Sequence, residues 1–183
     1  MSQKYRDYEP QGIYFVTYSV VYWLDLFIRN EYRQVLLDSW KYCQNEKGLI
    51  IYSWCIMTNH VHMIVSSQKD PLYRIMKESK SYTSRMFHGM LIANQKNCRK
   101  GWMLNLMRHA ANRKSGSKNF QFWQPYNHQI LLDDADKALQ KLEYIHMNPV
   151  TAGFVRRPAD YLYSSAVDYE GGKGLVDIQK LEI

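Results

Sequence analysis

The spacing of apolar and polar positions changes period several times along this chain, and each change marks an element. Residues 13–20, IYFVTYSV, are rich in β-branched and aromatic residues and predict a strand. From 31 to 46, Val35, Leu36, Ser39, Trp40 and Cys43 recur at helical spacing. Asn30 suits the N-cap of that helix and Gly48 its C-cap. Residues 49–57 read as a buried strand, and 60–66 as the next, antiparallel to it across a turn at Thr58 and Asn59. A second helix is predicted over 71–92, with Asp70 as N-cap, Pro71 at its first position, and Ile75, Met76, Ser79, Tyr82, Met86 and Met90 along one face. A short helix fits 102–110, a loop 112–119 and a strand about 127–132. Asp133 or Asp134 then caps a helix from about 135 to 147, which Pro149 ends because the residue before proline is pushed out of the α region. A short helical stretch near 161–168 precedes a glycine-rich end, and no internal repeat is present.

The order β-α-β-β-α-β-α predicts an α+β fold of the split β-α-β kind, an antiparallel sheet with helices on one face. A chain of 183 residues suggests one domain over 1–183, with a core at about 10–165 and a C-terminal tail from 166 to 183. That length buries a sizeable core without disulfides.

Composition narrows the class. Hydrophobic residues make up 46% and charged residues 22%, an ordinary globular balance. No apolar run approaches the roughly 20 residues that span a bilayer, which argues against a membrane partner. The polar start MSQKYRDYEP carries no secretory pattern, so a cytoplasmic protein is expected. Cys43, Cys55 and Cys98 are odd in number and form no CxxC pair, which fits reduced thiols better than a disulfide framework or zinc ribbon.

A net charge of +7 and a pI of about 9.2 fit a polyanionic partner. Lys96, Arg99, Lys100, Arg108, Arg113, Lys114 and Lys118 follow one another with no acid among them. They read either as a phosphate-contacting stretch or as a solvated loop. Lys77, Lys80 and Tyr82 on the second predicted helix are further candidates for flanking DNA. The 15 tyrosines serve base stacking or, more commonly, core packing.

Two local patterns carry chemistry. In His60-Val61-His62, strand alternation sends both imidazoles to one face, a bidentate platform for a divalent metal. The same spacing also suits two solvent-facing histidines. In LEYIHMNPV, Tyr144 and Asn148 are four apart and share a helix face. A phenol there can be a nucleophile and an amide oxygen a metal ligand; both residues could equally pack and terminate the helix. Taken together, the patterns propose two histidines and an amide holding Mg²⁺ or Mn²⁺, with Tyr144 attacking a phosphate. His128 is either a contact to the site or DNA, or a buried hydrogen-bonded residue; His146, two residues from Tyr144, faces away from it.

At these residues the chain resembles a known family. MTNHVHMIV resembles the histidine-hydrophobic-histidine (HUH) motif of single-tyrosine transposases, and YIHMNPVTAGFV the tyrosine helix of their REP-associated branch, with FWQPYNHQI similar to the strand before it. The likeness runs over roughly residues 10–165. It implies a ferredoxin-like, RRM-like sheet with the HUH strand central. It further implies cleavage and rejoining of single-stranded DNA beside hairpins through a 5′-phosphotyrosine, with Mg²⁺ or Mn²⁺. His60 and His62 match the metal ligands, Tyr144 the nucleophile, and Asn148 the position where other branches use glutamine. Relatives act as homodimers or monomers, and in some dimers the tyrosine helix serves the partner's site.

Other readings remain beside this one. A non-catalytic hairpin or single-strand binder would use sheet aromatics, although no RNP-type run is evident. A domesticated relative would keep the same active residues without moving its own gene. A small-molecule hydrolase would need a general base near the histidines, yet no acid lies between Glu46 and Asp70.

Overall fold

The computed structural model describes residue 9 and residues 12–94, 98–112, 120–125 and 128–182, excluding the side chain of residue 128. Strand β1 (Tyr14–Ser19) leads through a tight loop into α1 (Asn30–Lys47). Strands β2 (Leu49–Ile56) and β3 (His60–Ser67) form a hairpin, followed by α2 (Leu72–Ala93) and α3 (Lys100–Asn112). Strand β4 (His128–Leu131) and α4 (Ala135–Thr151) complete the core, and a single turn, α5 (Ala166–Tyr169), lies beyond them.

The sheet order is β2-β3-β1-β4, and every neighbouring pair is antiparallel. The α+β class and the interior position of the histidine strand therefore hold. The helices differ from expectation: they divide between the two faces. Alternation sends Tyr14, Val16, Tyr18, Val61, Met63 and Val65 to one face, where they join Trp40 of α1, Phe87 of α2 and Met107 of α3. Phe15 and Ile64 point to the other face and pack under Leu142 and Ile145 of α4. A bulge in β2 falls between Ile51 and Ser53, so Tyr52 and Ser53 break the alternation.

Several boundaries follow from chemistry that periodicity does not display. Gly48 ends α1 at φ +70°, its N–H donating to the Cys43 carbonyl, and a Cβ there would lie 2.7 Å from Lys69 Cβ. Asn30 and Asp70 do not act as caps; Arg29 and Pro71 hold those positions, neither with a side-chain cap bond. Asp134 does cap α4, accepting from Lys137 N–H at 2.7 Å. Pro149 does not end α4, which continues to Thr151. Lying in the last turn, it removes only the bond to the Ile145 carbonyl, while the buried ring gains packing. The buried face of α2 carries Thr83, Phe87 and Leu91, and the expected Tyr82 and Met86 are exposed.

Beyond α4 the chain returns along β2. Ile56 N–H donates to the Tyr163 carbonyl, Ser165 N–H to that of Trp54, and Gln179 N–H to that of Ile51. Val176 is buried in the main core. No helix among the described residues is long and apolar enough to cross a membrane.

Candidate active site

The face of the sheet beneath α4 carries the candidate chemistry. His60 and His62 lie edge to face, ring centroids 4.7 Å apart, as strand alternation requires. The Tyr144 ring of α4 stands 5.1 Å from His62 and 6.0 Å from Phe15, which itself stacks on His62 at 5.6 Å. Helix geometry explains the placement. Leu142 and Ile145 anchor α4 to the sheet, and Tyr144 on the flank remains 48% exposed beside the histidines. Four residues on, the Asn148 amide N–H donates to the Tyr144 carbonyl at 2.6 Å, leaving its Oδ1 available.

Each imidazole is oriented through Nδ1. His60 Nδ1 lies 2.6 Å from Asn59 Oδ1, and Asn59 Nδ2 donates to the Trp23 carbonyl at 3.2 Å. That second bond sets the amide orientation, so its oxygen faces His60. An amide oxygen only accepts, so His60 Nδ1 carries the proton and Nε2 presents a lone pair. His62 Nδ1 meets Thr17 Oγ1 at 2.7 Å, and its Nε2 is buried without a protein partner. Burial lowers His60 to a pKa of about 4. Burial, with the charges of His60 and Lys141 adding, lowers His62 to about 3. Both rings are neutral at physiological pH, the state a metal ligand needs. A divalent cation therefore fits this donor set. Among the described residues no group of three His, Cys, Asp or Glu side chains is placed to hold a metal ion.

Sequence reasoning passed over several neighbours. Thr17, Phe15 and Trp23 read as strand and loop residues, and Asn59 only as a turn former. Lys141, one turn before Tyr144, places Nζ 5.1 Å over the Phe15 ring and 5.6 Å over that of Tyr144. Its signal was available as an i, i+3 neighbour of the tyrosine. His146 faces away, as expected: its Nε2 lies 3.1 Å from Ser53 Oγ and 3.0 Å from Ser165 Oγ in a buried cluster.

The remaining candidates scatter. His128 occupies the β4 position opposite Thr17; its side chain lies outside the described residues. Lys77 is exposed on α2, and Lys80 directs Nζ to the Gln124 carbonyl at 3.5 Å; both are on the helix that covers the opposite face of the sheet. Tyr82 borders a cleft between α1 and α2 with Tyr42 and Arg85, also away from the histidines. Arg99 grips Asp25 through two bonds of 2.5 and 3.1 Å, Lys100 bonds the Ile92 carbonyl, and Arg108 is exposed beside Asn105. Lys96, Arg113, Lys114 and Lys118 lie outside the described residues.

Comparison with known proteins agrees with the motifs. Residues 24–107, which include both histidines but stop short of Tyr144, match the family described as Transposase IS200 like. A Haemophilus influenzae protein named as a REP-associated tyrosine transposase is 29% identical over 171 residues, covering 90% of this chain and 85% of its own length. A solved structure described as a REP-associated tyrosine transposase bound to a REP hairpin covers 100% of this chain and 96% of its own, with a TM-score of 0.66 and 18% identity, a likeness of fold. Residues 24–107 are thus similar to IS200-like transposases, and the chain resembles REP-associated tyrosine transposases along most of its length.

Proposed function

We propose that this protein is a metal-dependent transposase that cleaves and rejoins single-stranded DNA beside hairpins through a covalent link to Tyr144. The observation that carries the reading is the juxtaposition of Tyr144 with two neutral histidines, one bearing a buried, unpartnered Nε2. The hairpin-bound relative of the same fold supports the choice of DNA form.

His60 and His62 would hold Mg²⁺ or Mn²⁺, with Asn148 Oδ1 as the amide ligand. The bound ion would supply Lewis-acid polarisation of the scissile phosphate and offset its developing charge. The mixed nitrogen and oxygen set suits Mn²⁺ well. The chain's own residues do the rest. Asn59 and Thr17 hold the imidazoles in place. Tyr144 Oη attacks phosphorus, the P–O3′ bond breaks, and a 5′-phosphotyrosine ester forms. The leaving 3′-oxygen ends as a hydroxyl, its proton balancing the one lost by the phenol. Attack by a 3′-hydroxyl on the ester reverses the step and rejoins a strand. Tyr144 lies over the histidines of its own chain, which supports action in cis.

Incubation with labelled hairpin DNA and Mn²⁺, read on a denaturing gel, tests the proposal. The wild type should give an SDS-resistant adduct and Tyr144→Phe none, with hairpin binding kept. His60→Ala and His62→Ala should abolish the adduct and leave binding largely intact, and chelation of the metal should do the same. Adduct in Tyr144→Phe, or none on any hairpin including the gene's own flanks, would overturn the reading.

A further inference from the structure

The loop after β1 places two bulky residues in succession in the left-handed region, Tyr22 at φ +53° and Trp23 at φ +55°. L-amino acids with large side chains rarely adopt that backbone, and surrounding bonds must hold it. Trp23 N–H donates to the Val20 carbonyl at 3.1 Å, Val20 N–H to that of Asn59 at 2.9 Å, and Asn59 Nδ2 back to that of Trp23. Tyr22 Oη lies 2.8 Å from His109 Nδ1 of α3. The strained loop is thus bolted to the turn that carries His60 on one side and to α3 on the other.

Its effect is to turn two rings outward. Tyr22 is 40% and Trp23 57% exposed, and Trp102 of α3 is exposed as well, whereas Trp40, Trp54 and Trp123 are buried. The Trp23 ring stands edge-on to His60 with centroids 5.8 Å apart, at the lip of the histidine site. The adjoining residues 98–112 carry Lys100 and Arg108, with Arg99 paired to Asp25 of the loop after β1. An aromatic surface kept exposed against both backbone preference and apolar burial, beside basic side chains, suits a planar base on a phosphate backbone.

We propose that Tyr22 and Trp23 form a stacking platform for one unpaired nucleobase of single-stranded DNA, the base flanking the phosphate held at His60, His62 and Tyr144. This rests on the function proposed above and adds how the unpaired flank is gripped. Stacking accepts any base, so the platform contributes affinity and alignment with little sequence choice.

The test uses the full chain without metal, so that binding is read apart from cleavage. Fluorescence anisotropy would compare a blunt hairpin with the same hairpin bearing a ten-nucleotide unpaired flank. The wild type should bind the flanked form about tenfold more tightly, within the range expected for one stacked base. Trp23→Ala and Trp23→Gly should lose that difference and leave blunt-hairpin affinity unchanged, while Trp23→Phe keeps most of it. Trp23→Gly also relieves the left-handed backbone, so it should unfold at the same temperature or higher, separating lost stacking from lost fold. A 2-aminopurine in the flank should be quenched by the wild type and not by Trp23→Ala. Unchanged flank preference in Trp23→Ala overturns the platform, as does an equal loss on both DNAs. A flank preference that depends on Trp23, in a protein that forms no adduct, would sink the cleavage reading and leave the platform standing.

Discussion

Asn59 joins two parts of the site through one amide, its oxygen facing His60 Nδ1 and its nitrogen the Trp23 carbonyl. Such outer partners set the tautomer and orientation of a metal-ligating histidine, and removing one typically costs about 10–100-fold in metal affinity or activity. Asn59→Ala should therefore raise the Mn²⁺ concentration needed for half-maximal adduct formation by about that factor. Asn59→Asp keeps an acceptor toward His60 but loses the donor to Trp23, so it should retain more metal affinity than the alanine variant. Equal metal titrations for all three proteins would remove Asn59 from this role. At this scale the sequence singled out residues that the fold brings together and was silent about their support. His60, His62 and Tyr144 stand out because their spacing repeats a strand period and a helix period. Asn59, Thr17 and Lys141 do not, because nothing in linear order announces that a turn residue, a strand threonine and a helix lysine converge.

Among the elements, α4 is held from beneath by polar as well as apolar contacts. His146 sits with Ser53 and Ser165 in a buried cluster, and Ser53 reaches it because of the bulge in β2. The two hydroxyls keep each other as partners, but losing the buried imidazole removes a hydrogen bond from each and leaves a cavity, so His146→Ala should destabilise by about 1–3 kcal/mol, read from denaturant midpoints. A midpoint equal to the wild type would show that α4 is positioned by Leu142 and Ile145 alone. The elements themselves were largely legible, since β1, β2, β3, α1, α2, α3, β4 and α4 each begin within a few residues of their expected positions. What failed was rotation and termination. The face of α2 lies one residue further on, about 100° around the axis, because Thr83 is buried to accept from Trp123 Nε1 at 3.1 Å, a partner forty residues away. Likewise α4 passes through Pro149, since a proline in a last turn forfeits one bond that packing offsets. The division of helices between the two faces was equally hidden, because the middles of β1 and β3 are apolar on both sides, with polar residues only at the histidines, Thr17 and the terminal serines Ser19, Ser66 and Ser67.

For the whole molecule, the excess of +7 acts on association. If the proposed DNA partner is right, hairpin affinity should fall linearly with salt on a log–log plot, with a slope of about 0.7–0.9 per neutralised phosphate. Measured across Lys100→Gln and Arg108→Gln, the slope should drop by about one unit for each residue that touches a phosphate. Lys77→Gln, on the far side of the sheet, should leave it unchanged. A slope near zero for the wild type would leave the basic composition without an electrostatic role in binding. The resemblance read from short motifs over roughly residues 10–165 extends to the fold of the entire chain, whereas within the basic run Arg99 is engaged by Asp25, a pairing that linear order does not display.

The segment after α4 has a consequence for how the protein behaves in a crowd. An outermost strand offers its free amides and carbonyls to any neighbouring chain and so invites aggregation. Here the outer margin of β2 is already occupied by Tyr163, Ser165 and Gln179, and the opposite margin, β4, spans four of the described residues. The stretch from Tyr163 to Gln179 thus serves as a built-in guard against self-association. Truncation after Gly172 would uncover the Ile51 carbonyl and the pocket of Val176. Light scattering on that shortened chain should rise with concentration and time, where the full chain stays clear.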